Sequence, residues 1–287
     1  MRTGLAFVPS IGRIVLGASL AVAFAVTIRA ALGVPYPSWV ALICLIWLVL
    51  VLLVGALVLE LEMYGPVLRQ GPEHGQMVAL TFDDGPVLGT TTLVLDTLAA
   101  QGARATFFVI GRRALEHPEL VLRMVRDGHT VGVHGMDHHR GYAFLSPASV
   151  ARDLEQAISA VTAAGAPRPR WFRPPIGQAS PRTFRGARQV GLEIVGWTFR
   201  GRDGLRTARA ETLLLRFERA LAPGAIVLLH DAWERPRLEG EPAPLGVRLL
   251  PEILARCKAH GLRPVSLDEL LQARTAGKSM TKRAPAV

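Results

Sequence analysis

The chain has 287 residues, half of them apolar and 20% charged, with a mean hydropathy of +0.29. That composition excludes a disordered polymer and, for so apolar a chain, points to a segment that enters lipid. Lys and Arg outnumber Asp and Glu by 33 to 23, a formal charge of +10, yet no basic block or aromatic-interleaved basic stripe is present. Nucleic acid is therefore not the expected partner, and a lipid headgroup or an anionic glycan is the kind of partner the charge suits. The two cysteines, Cys44 and Cys257, lie far apart in unlike sequence, which excludes a disulfide scaffold or a CxxC metal site.

The chain opens with an expected membrane anchor over 1–64. From Ser38 to Leu59 no residue is charged, and a helix of that length covers about 33 Å, enough for a bilayer core. Upstream, Ile14 to Ile28 is apolar but bounded by Arg13 and Arg29, and as a helix covers only about 22 Å. It spans if Arg13 snorkels and the helix extends toward Leu5, and otherwise lies at the interface or acts as a secretory signal. The expected helices are 12–32 and 38–59, joined by a turn whose Pro35, Tyr36, Pro37 and Trp39 suit headgroup depth. Gly65-Pro66 and Gly71-Pro72 punctuate a linker at 65–75.

From Gln76 the pattern alternates. MVALTF (77–82), ATFFVI (105–110), HTVGV (129–133), RWFR (170–173), LEIVGWTF (192–199), AIVLLH (225–230) and LRPVS (262–266) read as buried strands. Between them Thr91–Gln101, Pro118–Asp127, Pro147–Ala164 and Ala208–Ala222 read as helices, and Ser266 caps a last one, LDELLQA. Continuous apolar strands alternating with helices predict an α/β fold, a (β/α) barrel of seven or eight units covering 76–272. The basic stretch 273–287 is expected to be disordered.

Catalytic groups in such barrels gather where strands end. Here the apolar runs end in Asp83-Asp84-Gly85-Pro86, in His134 with His138 four residues on, in Arg173-Pro174-Pro175, and in His230-Asp231, while the fifth run leads to Asp203. Each taken singly has a structural explanation, as a turn, a core histidine or a surface arginine. Together they fall on one rim, where chance would spread them over both ends. Asp84, His134 and His138 offer one oxygen and two nitrogens, a donor set that suits zinc or another late divalent metal, with cobalt or nickel as alternatives. Asp83 can then act as general base and His230 as proton donor, with Arg173 holding Asp83 and Asp203 holding the His230 imidazolium.

The ordered set TFDDGP (81–86), HGMDH (134–138), RPPIG (173–177), GRDG (201–204) and LLH (228–230) resembles the five motifs of the polysaccharide deacetylases, carbohydrate esterase family 4, also called the NodB-homology domain. The resemblance implies a distorted (β/α) barrel, a metal on Asp84, His134 and His138, a base at Asp83 and an acid at His230. It also places Arg173 and Asp203 on the orienting positions and the oxyanion on the backbone amide of Ile176. Departures stand out: Val133 replaces Asn, Gly135 replaces Ser or Thr, Ile176 replaces Tyr, Gly204 replaces a Trp, and Arg200 stands where an acid is frequent. His139 replaces Pro, so either His138 or His139 can complete the triad.

The expected activity is removal of an N-acyl group, acetyl above all, from amino sugars of a glycan or lipid-linked glycan. O-acetyl ester hydrolysis and a non-catalytic glycan-binding barrel are the alternatives. A glycosidase built on Asp83 and Asp84 is a poor reading, since adjacent residues do not readily flank a glycosidic bond at the separation of about 5 Å or more that such a pair needs, and it leaves the histidines unexplained. Membrane attachment is expected. The family's habit favours an extracytoplasmic domain, whereas two full spans with Arg2 and Arg13 inside would return it to the cytoplasm.

Overall fold

The computed structural model describes residues 10–205, 207–235 and 241–272. The expected tail at 273–287 and any extension toward Leu5 lie outside the described residues.

The first two elements are α1 (Ile11–Ala31) and α2 (Ser38–Leu57), both long and apolar enough to cross a membrane. The arginines that bound the apolar stretch do not stop α1, which runs through both, within one residue of the expected 12–32. Each guanidinium turns to a backbone carbonyl at its own end, Arg13 Nε donating to Glu62 O (3.0 Å) and Arg29 Nη2 to Pro35 O (3.2 Å). Those 21 residues then cover about 31 Å, long enough to span. Ser10 caps α1, and the two helices form an antiparallel hairpin in which Trp47 Nε1 donates to Ser19 Oγ at 3.0 Å, near the middle of both.

Eight parallel strands follow: β1 (Met77–Asp83), β2 (Thr106–Val109), β3 (Thr130–Val133), β4 (Trp171–Phe172), β5 (Glu193–Ile194), β6 (Phe199–Arg200), β7 (Ile226–His230) and β8 (Arg263–Val265). They are ordered β5-β4-β3-β2-β1-β7-β6, with β8 beside the first half of β1. Helices α3 (Thr90–Ala100), α4 (Gly111–Glu116), α5 (Pro118–Arg126), α6 (Pro147–Ala163), α7 (Pro181–Gln189), α8 (Ala210–Ala220), α9 (Leu245–Arg248) and α10 (Leu250–Ala259) complete the layers. Every residue of β1, β2 and β3 is buried, as continuous apolar runs covered on both faces require. The result is the expected distorted (β/α) barrel.

One expected strand is corrected. The run 192–199 is two strands, with β5 paired to β4 and β6 to β7, so a single run holds both edges of the sheet. The sheet curls until four residues, 195–198, suffice to pass from one edge to the other. Segment 65–75, expected as a linker, covers that seam through the bridges Leu68↔Val195 and Gln70↔Ala225. The barrel interior is filled from its amino end: Met77, Ala79, Phe108, Trp171, Ile226 and Val265 meet Leu267 and Leu270 of a closing helix at 267–272. Ser266 Oγ accepts from Glu269 N in the first turn of that helix. With the amino end plugged, side chains at the carboxyl ends of the strands line the open cavity.

Candidate active site

A cavity of about 350 Å³ opens at the carboxyl rim and is lined by Asp83, Asp84, His134, His138 and His230, with Ile176 in its wall. Parallel pairing puts these groups together. Asp83 and His230 are register partners on β1 and β7, and Val133, which precedes His134, pairs with Phe172, which precedes Arg173. Of the six described non-glycine residues with positive φ, four line this cavity: Asp84 (79°), His138 (53°), Ile176 (51°) and Arg202 (56°). A β-branched residue such as Ile176 holds that conformation only where its surroundings impose it, and such strain concentrates at functional sites.

Asp84, His134 and His138 present ligand atoms all within 4.8 Å of one another. Asp84 Oδ1 lies 3.6 Å from His134 Nε2 and 3.5 Å from His138 Nε2, and this buried oxygen has no hydrogen-bond partner. An orphaned carboxylate oxygen facing two imidazole nitrogens is what a cation site needs. His134 Nδ1 lies 2.6 Å from Arg173 O; donating its proton there, it leaves the Nε2 lone pair facing the site. Burial lowers the pKa of both histidines, keeping them neutral, and raises Asp84 to about 7. A bound cation would oppose that rise. Exposed His139 accepts from Gly141 N instead and is outside the cluster, so the geometry selects His138.

Asp83 sits beside this cluster with Arg173 behind it. Arg173 is fully buried and places Nη1 2.7 Å from both Asp83 Oδ1 and Thr81 Oγ1, while Nη2 donates to Gly196 O at 2.9 Å and the guanidinium lies over the Phe108 ring. Burial raises the Asp83 pKa, and the Arg173 charge opposes that rise. Across the cavity, Asp203 is fully buried; its Oδ2 accepts from His230 N (2.8 Å) and its Oδ1 lies 2.9 Å from His230 Nδ1. Burial disfavours the imidazolium, but Asp203, Asp84 and Asp83 together outweigh it and raise His230 to about 10.

Three supporting carboxylates had been given no role from the sequence, although Asp231 had been noted at its strand end. Asp231, next to His230, accepts from Gly85 N and from Thr91 Oγ1, so it holds the Asp-Asp-Gly-Pro turn. Asp153 on α6 accepts from Met136 N (3.1 Å) and Tyr142 Oη (2.8 Å), bracing the loop between the two histidines from outside. That loop needs Gly135, at φ 86°, where a Ser or Thr was expected from the family pattern. Glu234 places Oε1 3.3 Å from His138 Nδ1 and is itself held by Arg140. The first of these sits in a recognisable motif; the other two come from a helix and a loop with no local signal.

The fold and its rim define the class, a (β/α) barrel with its ionisable groups gathered at the strand ends. Comparison with known proteins is specific. The family model for polysaccharide deacetylase matches residues 70–195. A peptidoglycan-N-acetylglucosamine deacetylase of Bacillus cereus is 33% identical over 218 residues, covering 74% of this chain and 96% of its own. A chitooligosaccharide deacetylase of a Bradyrhizobium species is 35% identical over 199 residues, covering 67% of this chain and 90% of its own. Among solved structures, a carbohydrate esterase family 4 pseudoenzyme from Bacillus anthracis superposes with a TM-score of 0.63 at 26% identity, covering 73% of this chain and 70% of that one. The chain belongs to the polysaccharide deacetylase family.

Proposed function

We propose that this protein is a metal-dependent amidohydrolase that removes N-acetyl groups from amino sugars of a glycan or lipid-linked glycan. The observation that carries the reading is the pair of oppositely ordered ion pairs, Asp83–Arg173 and His230–Asp203, flanking the triad of Asp84, His134 and His138. A binding barrel would have no use for a base and an acid facing one cavity. Relatives named as deacetylases of peptidoglycan and chitooligosaccharides support the substrate class.

The donor set suits zinc, with cobalt or nickel as substitutes, and such an ion would supply a Lewis acid that acidifies water and polarises the acyl carbonyl. This chain's residues do the rest. Asp83 takes a proton from the attacking water at its carboxylate, held in place by Arg173. The water oxygen bonds to the carbonyl carbon, the Ile176 amide receives the oxyanion, and the carbon–nitrogen bond breaks as His230 delivers a proton to the departing amine. Asp203 keeps His230 charged until then. The products are acetate and the free amino sugar.

The hairpin of α1 and α2 is proposed as a retained two-span anchor, since Ser10 and Arg13 are tied to Glu62 and Ser19 to Trp47. Residue 10 and the barrel then share one side of the membrane, and the basic residues Arg2, Arg13 and Arg69, against Arg29 in the turn, favour the cytoplasmic side. The test of function is acetate release from acetylated glycans by the full chain, metal-loaded and metal-stripped. His134→Ala should abolish both tight metal binding and release, and His139→Ala should change neither; normal metal content in the first variant would defeat the triad.

A further inference from the structure

The hairpin joins the barrel at its open end. Ala179 N donates to Ala56 O in the last turn of α2 at 3.0 Å, and Ala179 follows two residues after Gly177 and three after Ile176, both in the cavity wall. Three residues of chain reach at most about 11 Å, so the cavity wall stands close to where α2 leaves the apolar layer. The headgroup region on each side of a bilayer is itself about 5–7 Å deep. A second connection runs through the seam: Leu59, two residues past α2, is buried against Gly196, whose carbonyl accepts from Arg173. Tyr64 Oη returns to Leu52 O within α2.

The cavity rim has the chemistry of a lipid-facing surface. Phe144, 64% exposed, has its carbonyl held by Arg182, three residues beyond Ala179 in the first turn of α7. Leu205, 54% exposed, lines the cavity mouth together with Arg200 and Arg202. Apolar side chains beside guanidinium groups suit the boundary between acyl chains and anionic headgroups. Guanidinium forks also match phosphate oxygens.

From these observations we infer that the cavity takes an N-acylated amino sugar carried on a lipid through a phosphate linkage and presented from the plane of the bilayer. The sugar enters the cavity from the headgroup layer, the linking phosphate meets Arg200 and Arg202, and the lipid stays beside Phe144 and α2. This inference rests on the amidohydrolase reading for its chemistry and on the hairpin geometry for its location.

The full chain, reconstituted in phosphatidylcholine vesicles, is given N-acetylglucosamine linked by pyrophosphate to a polyprenyl lipid in those vesicles. In parallel it is given N-acetylglucosamine 1-phosphate and a soluble chitooligosaccharide. Confinement to one surface should make acetate release from the lipid-linked sugar faster by about tenfold or more in kcat/KM. Phe144→Asp should lower the lipid-linked rate several-fold and leave the soluble rates unchanged. Soluble sugars turned over as fast as the lipid-linked one, or a Phe144→Asp loss that is equal on all substrates, overturns the inference. Photo-crosslinking of a diazirine-bearing lipid-linked sugar to the Asp83→Asn chain separates the two readings. Crosslinking to the cavity wall without acetate release from any substrate by the parent chain sinks the hydrolase reading and sustains the location; absence of crosslinking sinks the location.

Discussion

The two sides of the cavity use the same kind of ion pair in opposite order. On one side the carboxylate of Asp83 faces the cavity and the Arg173 guanidinium stands behind it at 2.7 Å; on the other the His230 imidazole faces the cavity and the Asp203 carboxylate stands behind it at 2.9 Å. The facing groups are register partners on neighbouring strands, so topology alone would give them like surroundings. The buried partner makes the difference. Behind Asp83 a fixed cation works against burial to keep the carboxylate available for a proton, and behind His230 a fixed anion works against burial to keep a proton on the ring. The proposed base and the proposed acid, on adjacent strands, thus differ by which charge is placed at the back.

The largest effect expected from breaking this arrangement is on the base side. Asp83→Asn preserves shape and should retain the metal while losing on the order of a hundredfold or more in turnover. Arg173→Met should lose as much activity by another route, since it removes the largest opposition to burial and so raises the Asp83 pKa further, away from the carboxylate form a base needs. It should also cost about 3–5 kcal/mol of stability, the scale for removing one partner of a buried pair. Thermal melts beside turnover decide it: full activity in Arg173→Met would show that Asp83 needs no cation behind it.

The acid side should respond more mildly and in its pH profile. His230 must carry its proton to act, and its raised pKa of about 10 keeps it charged across neutral pH. Asp203→Asn removes the main opposition to burial, so the His230 pKa should fall and the rate should begin to decline at a lower pH. Above the new pKa the charged fraction drops about tenfold for every further pH unit. The sign for stability is the same. A raised histidine pKa contributes stability that is complete below the free-imidazole value of about 6.5 and is lost as pH rises through the folded value. The variant should therefore be less stable than the parent at pH 7 and equal to it above pH about 11. An unshifted alkaline limb would remove Asp203 from this role.

Both facing groups and both buried partners were legible in the sequence, because each lies in a motif where an apolar strand gives way to a turn, and parallel strands deliver such positions to one rim. The barrel was legible for the same reason. The split of 192–199 was not, since strand propensity does not record that a curled sheet must bring its edges together within a few residues. Nor were the anchoring bonds of α1, because the reach of Arg13 and Arg29 to carbonyls depends on a segment some fifty residues away in sequence and on a turn. Asp153 and Glu234 were missed because an acid in an amphipathic helix or an exposed loop reads as a solvated residue until its distant partner is known. The HxxxH spacing already favoured His138 over His139, and the geometry agrees, since His138 faces Asp84 while His139 accepts from Gly141 N.

Glu234 offers the smallest and sharpest test of the comparison, because it repeats the carboxylate-behind-imidazole pattern of Asp203 on a histidine that has a different task. Its Oε1 lies 3.3 Å from His138 Nδ1, on the side away from Asp84, while Arg140 fixes both of its oxygens. At that distance, without a hydrogen bond to Nδ1, the carboxylate acts through its charge, which raises the basicity of Nε2 toward a metal. It should have no part in proton transfer. Glu234→Gln keeps the shape but removes the charge, and is expected to weaken zinc binding by about tenfold, the lower end of such effects. With saturating zinc the variant should regain parental turnover and an unshifted pH profile, in contrast to Asp203→Asn. Competition with a chelator of known affinity gives the first quantity and the pH dependence of kcat at saturating zinc gives the second. A shifted alkaline limb at full metal occupancy would mean that Glu234 acts on His230 through the cavity, and that the acid is governed by more than the carboxylate behind it.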